Sequence, residues 1–364
     1  MNSRDRMLLF SLILLLVVFL GGCKQDSLTN IISDKDTSGN TESEQMIEIG
    51  NNQVVIGLAL GTLAEERWIN EREYFEQEAS KYGAKVLTMD GNMDEKLQEE
   101  QIEELIRQKV DVLVIVAVND ETASECVKSA KNAGIPVLAY SRMITNADLD
   151  VFIGFDAIGI GESLASAAVN SVPKGNYFII NGSQTDSNAK AQKKGYYNIL
   201  DPYLSAGEIT VSLEVWCDNW SPEKAQLAVR KGLELSNNKV DAIIVSNDGM
   251  AGGVVEALKE QNLEGKIFVT GTDGDLSALK RIKDGVQTVT LLYPQKEFAE
   301  EGARAAISLA NDLVPADATG KTFNGLKDIP TIFARTVLVT KENLDKTVIQ
   351  TGIKSHDEIY NELP

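Results

Sequence analysis

From Gln53 onward, short β-branched apolar runs alternate with longer stretches whose apolar residues recur at helical spacing. Strands read as near-continuous apolar segments when helices cover both faces of a parallel sheet. In the first half, strands are predicted at Val54–Leu60, Lys85–Met89, Val112–Val118, Val137–Tyr140 and Val151–Phe155. Helices fall between them near Glu66–Tyr82, Glu95–Gln108 and Glu121–Ala133, the first carrying Trp68, Phe75, Ala79 and Tyr82 on one face. The second half repeats the pattern, with strands at Tyr177–Asn181, Ile209–Val215, Ala242–Ser246, Lys266–Gly271 and Thr288–Tyr293. Its helices lie near Asn188–Leu200, Pro222–Leu235, Ala251–Glu260 and Leu276–Lys283. The alternation predicts an α/β protein of two similar lobes.

The residues before Gln53 follow a different pattern. A basic start (Arg4, Arg6) leads into an apolar run from Met7 to Leu20 and then Gly21-Gly22-Cys23. That run is shorter than the roughly 20 residues a membrane-spanning helix needs, and it ends in small residues, as an export signal does. Leu20-Gly21-Gly22-Cys23 resembles the bacterial lipoprotein signal, in which the cysteine is acylated and becomes the new N-terminus. This implies a signal peptide over 1–22, a lipidated Cys23, and a chain that works at the cell membrane outside the cytoplasm. The alternative is an uncleaved anchor helix, with the same placement of the rest. Residues 24–50 are polar, with few apolar positions, and read as a flexible linker.

Composition narrows the chemistry. Across 364 residues, 35 Lys+Arg stand against 54 Asp+Glu, a formal net charge of -19, which repels a phosphate backbone and argues against nucleic acid. Beyond Cys23 only Cys126 and Cys217 remain, without zinc or disulfide spacing, and both read as small core residues. The single histidine, His356, lies in the polar C-terminal tail. The usual base of a Ser-His or Cys-His hydrolase is therefore missing, and the chain reads as a binder rather than an enzyme. No cofactor is indicated. Gly159-Ile160-Gly161 is a fragment of a dinucleotide fingerprint and is better explained by a closely packed helix start. Asp273-Gly274-Asp275 lacks the remainder of a calcium loop, so no metal is expected there.

Ligands of open α/β sheets bind beyond the carboxyl ends of the strands. The residues predicted there are Arg67 and Trp68, Asn119 and Asp120, Ser141 and Arg142, Asp156, Asp186 and Asn188, Asn247 and Asp248, and Thr272 and Asp273. Such a set suits a sugar. Carboxylates and amides bridge neighbouring hydroxyls, arginine donates in a fixed fork, and indole rings cover the apolar C–H faces. Each residue also has a plainer reading. Trp68 could be core, Arg67 a surface ion pair, and Asp186 and Asp248 helix N-caps. Placement after successive strands favours a shared cleft.

Glu66-Arg67-Trp68, Ala139-Tyr140-Ser141-Arg142-Met143-Ile144, Gly175-Asn176-Tyr177-Phe178, Asn188-Ala189-Lys190, Trp216-Cys217-Asp218-Asn219-Trp220, Ser246-Asn247-Asp248 and Asn324-Gly325-Leu326-Lys327-Asp328 together resemble the D-xylose-binding members of the type I periplasmic binding proteins. The likeness runs from about Val55 to Thr351. It implies two Rossmann-like lobes with parallel sheets, joined by a three-strand hinge that closes on one sugar. The first lobe would comprise 51–155 and 295–323, the second 159–290 and 331–352, with hinge segments at 155–158, 291–294 and 324–330. The resemblance implies that Arg67 and Arg142 donate to hydroxyls, that Asp186, Asn188, Asn247 and Asp273 are hydroxyl partners, and that Trp220, with Trp68, forms the walls. Two positions depart from the family pattern. Ser141 stands where Asp is usual and Tyr293 where Lys is usual, so one charge of each sign is lost and the two changes are expected to compensate. The expected ligand is D-xylose or a related monosaccharide. The expected partner is the permease of an ABC sugar importer, the alternative being a membrane sensor histidine kinase.

Overall fold

A computed structural model of the chain describes residues 53–361; the predicted signal segment, Cys23 and the linker lie outside them. Strands β1 (Val55–Leu60), β2 (Lys85–Asp90), β3 (Val112–Ile115), β4 (Val137–Tyr140) and β5 (Val151–Gly154) alternate with helices α1 (Glu66–Lys81), α2 (Glu95–Arg107) and α3 (Ala123–Asn132). After β5 the chain enters the second lobe with α4 (Ala157–Ser171), β6 (Gly175–Asn181), α5 (Ser187–Ser205), β7 (Ile209–Trp216), α6 (Pro222–Ser236), β8 (Ala242–Val245) and α7 (Asp248–Glu260). The short strands β9 (Phe268–Val269) and β10 (Thr272–Asp273), then α8 (Leu276–Asp284) and β11 (Val289–Leu292), follow. The chain returns to the first lobe for α9 (Gln295–Ala310), β12 (Gly320–Phe323) and β13 (Asp328–Phe333), and ends in the second lobe with β14 (Val337–Thr340) and α10 (His356–Tyr360).

The first sheet has seven strands in the order β12-β13-β5-β4-β3-β1-β2, parallel except for the β12–β13 hairpin. Its central strands are wholly buried because α1 and α9 cover one face and α2 and α3 the other. The second lobe carries a four-stranded sheet, β7-β6-β8-β9, and a three-stranded one, β10-β11-β14. The predicted strand Lys266–Gly271 is broken between β9 and β10. There the Thr270 hydroxyl donates to the Val245 carbonyl and accepts from the Val245 amide, replacing ladder bonds.

The predicted third hinge segment needs correction. Residues 328–333 form β13, which pairs with β12 through 328–331 and in parallel with β5 through 331–333, Thr331 opposite Phe152 and Phe333 opposite Gly154, and so belongs to the first sheet. The third passage between sheets is therefore 334–336, linking β13 to β14. Asn324 makes the β12–β13 turn: its side chain donates to the Ile144 and Ala147 carbonyls and accepts from the Leu326 and Lys327 amides. The segment expected to flex thus buttresses the loop that follows Arg142. The second lobe also extends past 352, since α10 is fixed by a Ser355–Glu358 capping box and by fully buried Ile359. Cys126 and Cys217 are both buried, and burial pushes both thiols up to about 11.

Candidate functional site

Arg67, Trp68, Ser141, Arg142, Asp186, Asn188, Trp220, Asn247, Asp273 and Tyr293 all line one cavity between the lobes, with about 510 Å³ of free space, part of it open to solvent. Its walls follow the carboxyl ends of β1, β4 and β5 from one lobe and of β6, β7, β8, β10 and β11 from the other.

Arg142 and Asp186 face each other across the lobes. Arg142 Nε lies 2.6 Å from Asp186 Oδ2 with both side chains almost fully buried, and its Nη1 donates to the Ala117 carbonyl at 3.0 Å. The same Asp186 oxygen accepts from Trp220 Nε1 at 3.1 Å, while Oδ1 accepts from the Asn188 amide at 2.8 Å. Asp186 is therefore both the N-cap of α5 and a wall of the cavity, so the two readings of this residue are not alternatives. Asn247 is similar: its Oδ1 caps α7 through the Met250 amide, and its Nδ2 reaches Glu65 Oε2 at 3.3 Å. Asn188 Nδ2 donates to the Ser141 carbonyl at 2.9 Å, a further link between lobes.

Arg67 is held from several sides. Its Nε donates to Glu71 Oε1 at 2.8 Å, Nη1 to Asp273 Oδ1 at 3.0 Å and Nη2 to Ser141 Oγ at 2.6 Å. The guanidinium lies 4.3 Å from the Trp68 ring centroid and 4.8 Å from that of Tyr293. Burial disfavours its charge, but Tyr293, Glu71 and Asp273 outweigh that and hold the guanidinium well above its ordinary range. Burial pushes the Asp273 carboxyl well up, against the pull of Arg67. Trp68 is 2 % exposed and belongs to the core as well as to the cavity.

Three wall residues adopt left-handed backbone that side chains seldom favour: Ser141 at φ +64°, Trp220 at +54° and Asp273 at +107°. Such conformations persist only where the surroundings over-determine them. For Asp273 the determinant is Asp248, fully buried behind the cavity. Its carboxylate accepts from the Gly274 and Asp275 amides, the Thr290 hydroxyl and Gln287 Nε2. Asp248 is thus a support for the site and not a wall. Burial, opposed chiefly by Arg281, pushes this carboxyl up to about 6. Asp248→Ala should cost about 2–4 kcal/mol, since four buried donors lose their acceptor. A lowered denaturant midpoint checks this, with sugar binding falling in parallel as Asp273 shifts.

Glu65, Phe155, Gln192 and Ser246 also line the cavity without having been singled out by the sequence, as does Thr272, which was. Glu65 precedes α1, where an acid reads simply as a favourable helix-terminal charge, yet it makes no cap bond and turns towards Asn247 instead. Burial raises its carboxyl against the opposing pull of Arg142 and Arg67.

The family profile described as "Periplasmic binding protein domain" matches residues 56–313. The chain belongs to the periplasmic binding protein family. It is 43 % identical over 308 residues to the D-xylose-binding periplasmic protein of Escherichia coli K12, covering 84 % of this chain and 93 % of that protein. It is 41 % identical over 307 residues to the D-xylose-binding periplasmic protein of Haemophilus influenzae, covering 84 % and 92 %. Among solved structures, a Chloroflexus aurantiacus carbohydrate transporter solute-binding protein in complex with D-glucose superposes with a TM-score of 0.79 at 25 % identity, covering 86 % of this chain and 100 % of that one. The fold is the type I α/β fold of periplasmic binding proteins, with parallel sheets flanked by helices. Among the described residues no helix is long and apolar enough to cross a membrane.

Proposed function

We propose that this protein captures D-xylose, or a closely similar neutral monosaccharide, by closing its two lobes around it, and that it delivers the sugar to an ABC importer. The observation that carries the reading is the pairing of the site's cations. Arg142 is matched by Asp186 and Arg67 by Glu71 and Asp273, so no cation is left over for an ionised ligand. The free N–H groups can still donate: of the five on a guanidinium, Arg67 commits three, leaving two for hydroxyls. Trp68 and Trp220, one from each lobe, supply the indole surface a sugar ring needs. The xylose-binding relatives in two organisms support the choice of pentose. Acylation at Cys23 would hold the protein at the membrane, where closure presents a new surface to the permease. A sensor kinase could read the same closed surface, and the altered pair Ser141 and Tyr293 favours that second reading, because a sensor need not share an importer's affinity.

The test is thermal unfolding with a panel of neutral and ionised sugars. A ligand at 100 times its Kd adds about 2.7 kcal/mol, so D-xylose should raise the midpoint by several degrees while D-glucuronate leaves it unmoved. No shift with D-xylose and its epimers would reject the ligand, and a shift with glucuronate alone would reject the neutral-site argument.

Closure has a second component at the rim. Lys190 Nζ of the second lobe lies 2.9 Å from Asp120 Oδ1 of the first, and the Asp120 amide donates to the Thr185 carbonyl. Neither Asp120 nor Lys190 lines the cavity. Asp120→Asn should therefore speed sugar release about three- to tenfold, the worth of one charge-assisted bond near the surface, with little change in the association rate. Stopped-flow fluorescence of the site tryptophans would show it.

A further inference from the structure

The two positions that depart from the family pattern, Ser141 and Tyr293, meet at one guanidinium. Ser141 Oγ accepts from Arg67 Nη2, and the Tyr293 ring lies beneath Arg67 at 4.8 Å. The Tyr293 hydroxyl donates to Glu71 Oε1, the oxygen that also accepts from Arg67 Nε at 2.8 Å. Glu71 is 2 % exposed and does not line the cavity, and its second oxygen, Oε2, is buried without a partner. A fully desolvated carboxylate with an unpartnered oxygen is costly.

We infer that Glu71 is the positioning residue of the site: it supplies from behind the cavity the negative charge that Ser141 does not supply from within it, and Tyr293 fixes its orientation. The inference rests on the sugar-binding reading and extends it. A neutral side chain at 141 leaves Arg67 one counter-ion in its own lobe, Glu71, and one in the other, Asp273. Were Glu71 neutral, Arg67 would be drawn to Asp273 alone, across the cleft, and its two uncommitted N–H groups would turn from the ligand. Tyr293 directly follows β11, where the chain passes back to the first lobe, and its ring packs against Phe155 of the first passage at 4.6 Å. The Tyr293–Glu71 bond therefore ties the Arg67 fork to two of the three connections between lobes. An aromatic hydroxyl can do this, by donating to the carboxylate; a lysine there would add a second cation beside Arg67.

The inference makes a prediction of opposite signs in two backgrounds. In the wild type, Ser141→Asp adds a surplus carboxylate beside a guanidinium already matched and should weaken D-xylose binding about tenfold. Glu71→Gln, close in shape, should weaken it about tenfold as well, the loss of one charged hydrogen bond. In the Glu71→Gln background, Ser141→Asp returns the missing charge and should restore binding most of the way to wild type. A merely structural role for Glu71 would not produce rescue from a different element. Calorimetric titration of the four proteins with D-xylose measures this, and Ser141→Asp weakening binding equally in both backgrounds would overturn the inference. A wild type that binds no D-xylose would instead reject the ligand assignment. The inference is then read from thermal unfolding without sugar, where Glu71→Gln and Tyr293→Phe should cost less together than the sum of their separate losses, and additive losses would overturn it.

Discussion

Replacing Arg142 by methionine is expected to weaken sugar binding at least a hundredfold while the sugar-free protein stays folded. The reason is where the cost falls. Arg142 belongs to the first lobe and Asp186 to the second, and their 2.6 Å ion pair forms only when the lobes meet. With the lobes apart, water solvates both groups. On closure the variant would bury Asp186 with only the Trp220 indole and the Asn188 amide as donors. Removing one partner of a buried ion pair costs about 3–5 kcal/mol, and every 1.4 kcal/mol is about tenfold in affinity. The open protein loses only the bond from Arg142 to the Ala117 carbonyl, worth about 1 kcal/mol. Isothermal titration should therefore show binding nearly abolished, with the sugar-free melting temperature lowered by a few degrees at most. Adding Asp186→Asn to Arg142→Met should recover part of the loss, because a neutral pair can be buried where a lone carboxylate cannot. A single variant within a few-fold of wild-type affinity would show that closure does not depend on this pair.

The cavity walls were legible in the sequence because parallel α/β sheets place their functional residues at strand ends, and each of these strands is a clear apolar run. Asn247 follows such a run within two residues and Asp186 within five. What sequence could not give was double use. Asp186 as cap and Asp186 as wall look like competing readings until the two oxygens are seen to divide the work. The resemblance implies the return of the chain to the first lobe over 295–323, but strands β12 and β13 escape the sequence for two physical reasons. In β12 the exposed positions alternate with half-buried ones, as on an edge strand, and Pro330 reads as a strand breaker. Pro330 is accommodated because pairing with β5 begins one residue later, at Thr331. Helix α9 lies in the stretch 295–323, for which the sequence predicts a lobe but no element. Glu71 carried no signal at all: it sits one turn after Arg67 on a charged helix, where a solvated ion pair is the ordinary outcome, and only its burial sets it apart.

Gly195→Ala is expected to destabilise the second lobe's helical layer by about 3 kcal/mol, the upper end of overpacking costs. Helices α4 and α5 cross at a pair of glycines. A Cβ on Gly195 would stand 2.2 Å from the Ile158 carbonyl oxygen and 2.9 Å from the Gly161 Cα, and one on Gly161 would stand 2.1 Å from the Gln192 carbonyl oxygen. All of these are backbone atoms, which cannot rotate aside, so the helices must separate. This also accounts for Gly159-Ile160-Gly161, whose last glycine serves helix packing and whose first lies against the capping carboxylate of Asp156. The displacement would reach the site, because α4 presents Ala157 and Ile160 to the cavity, and α5 presents Asn188 and Gln192. At about 2–4 °C per kcal/mol for a protein of this size, the melting temperature should fall by about 6–12 °C, with affinity weakened in step. Gly249→Ala is the control of opposite sign. It lies in α7, its Cβ would meet nothing closer than 3.7 Å, and replacing a helical glycine without a clash stabilises by about 0.4–1 kcal/mol. Equal losses from the two substitutions would mean that glycine itself, and not the α4–α5 contact, is what this lobe requires.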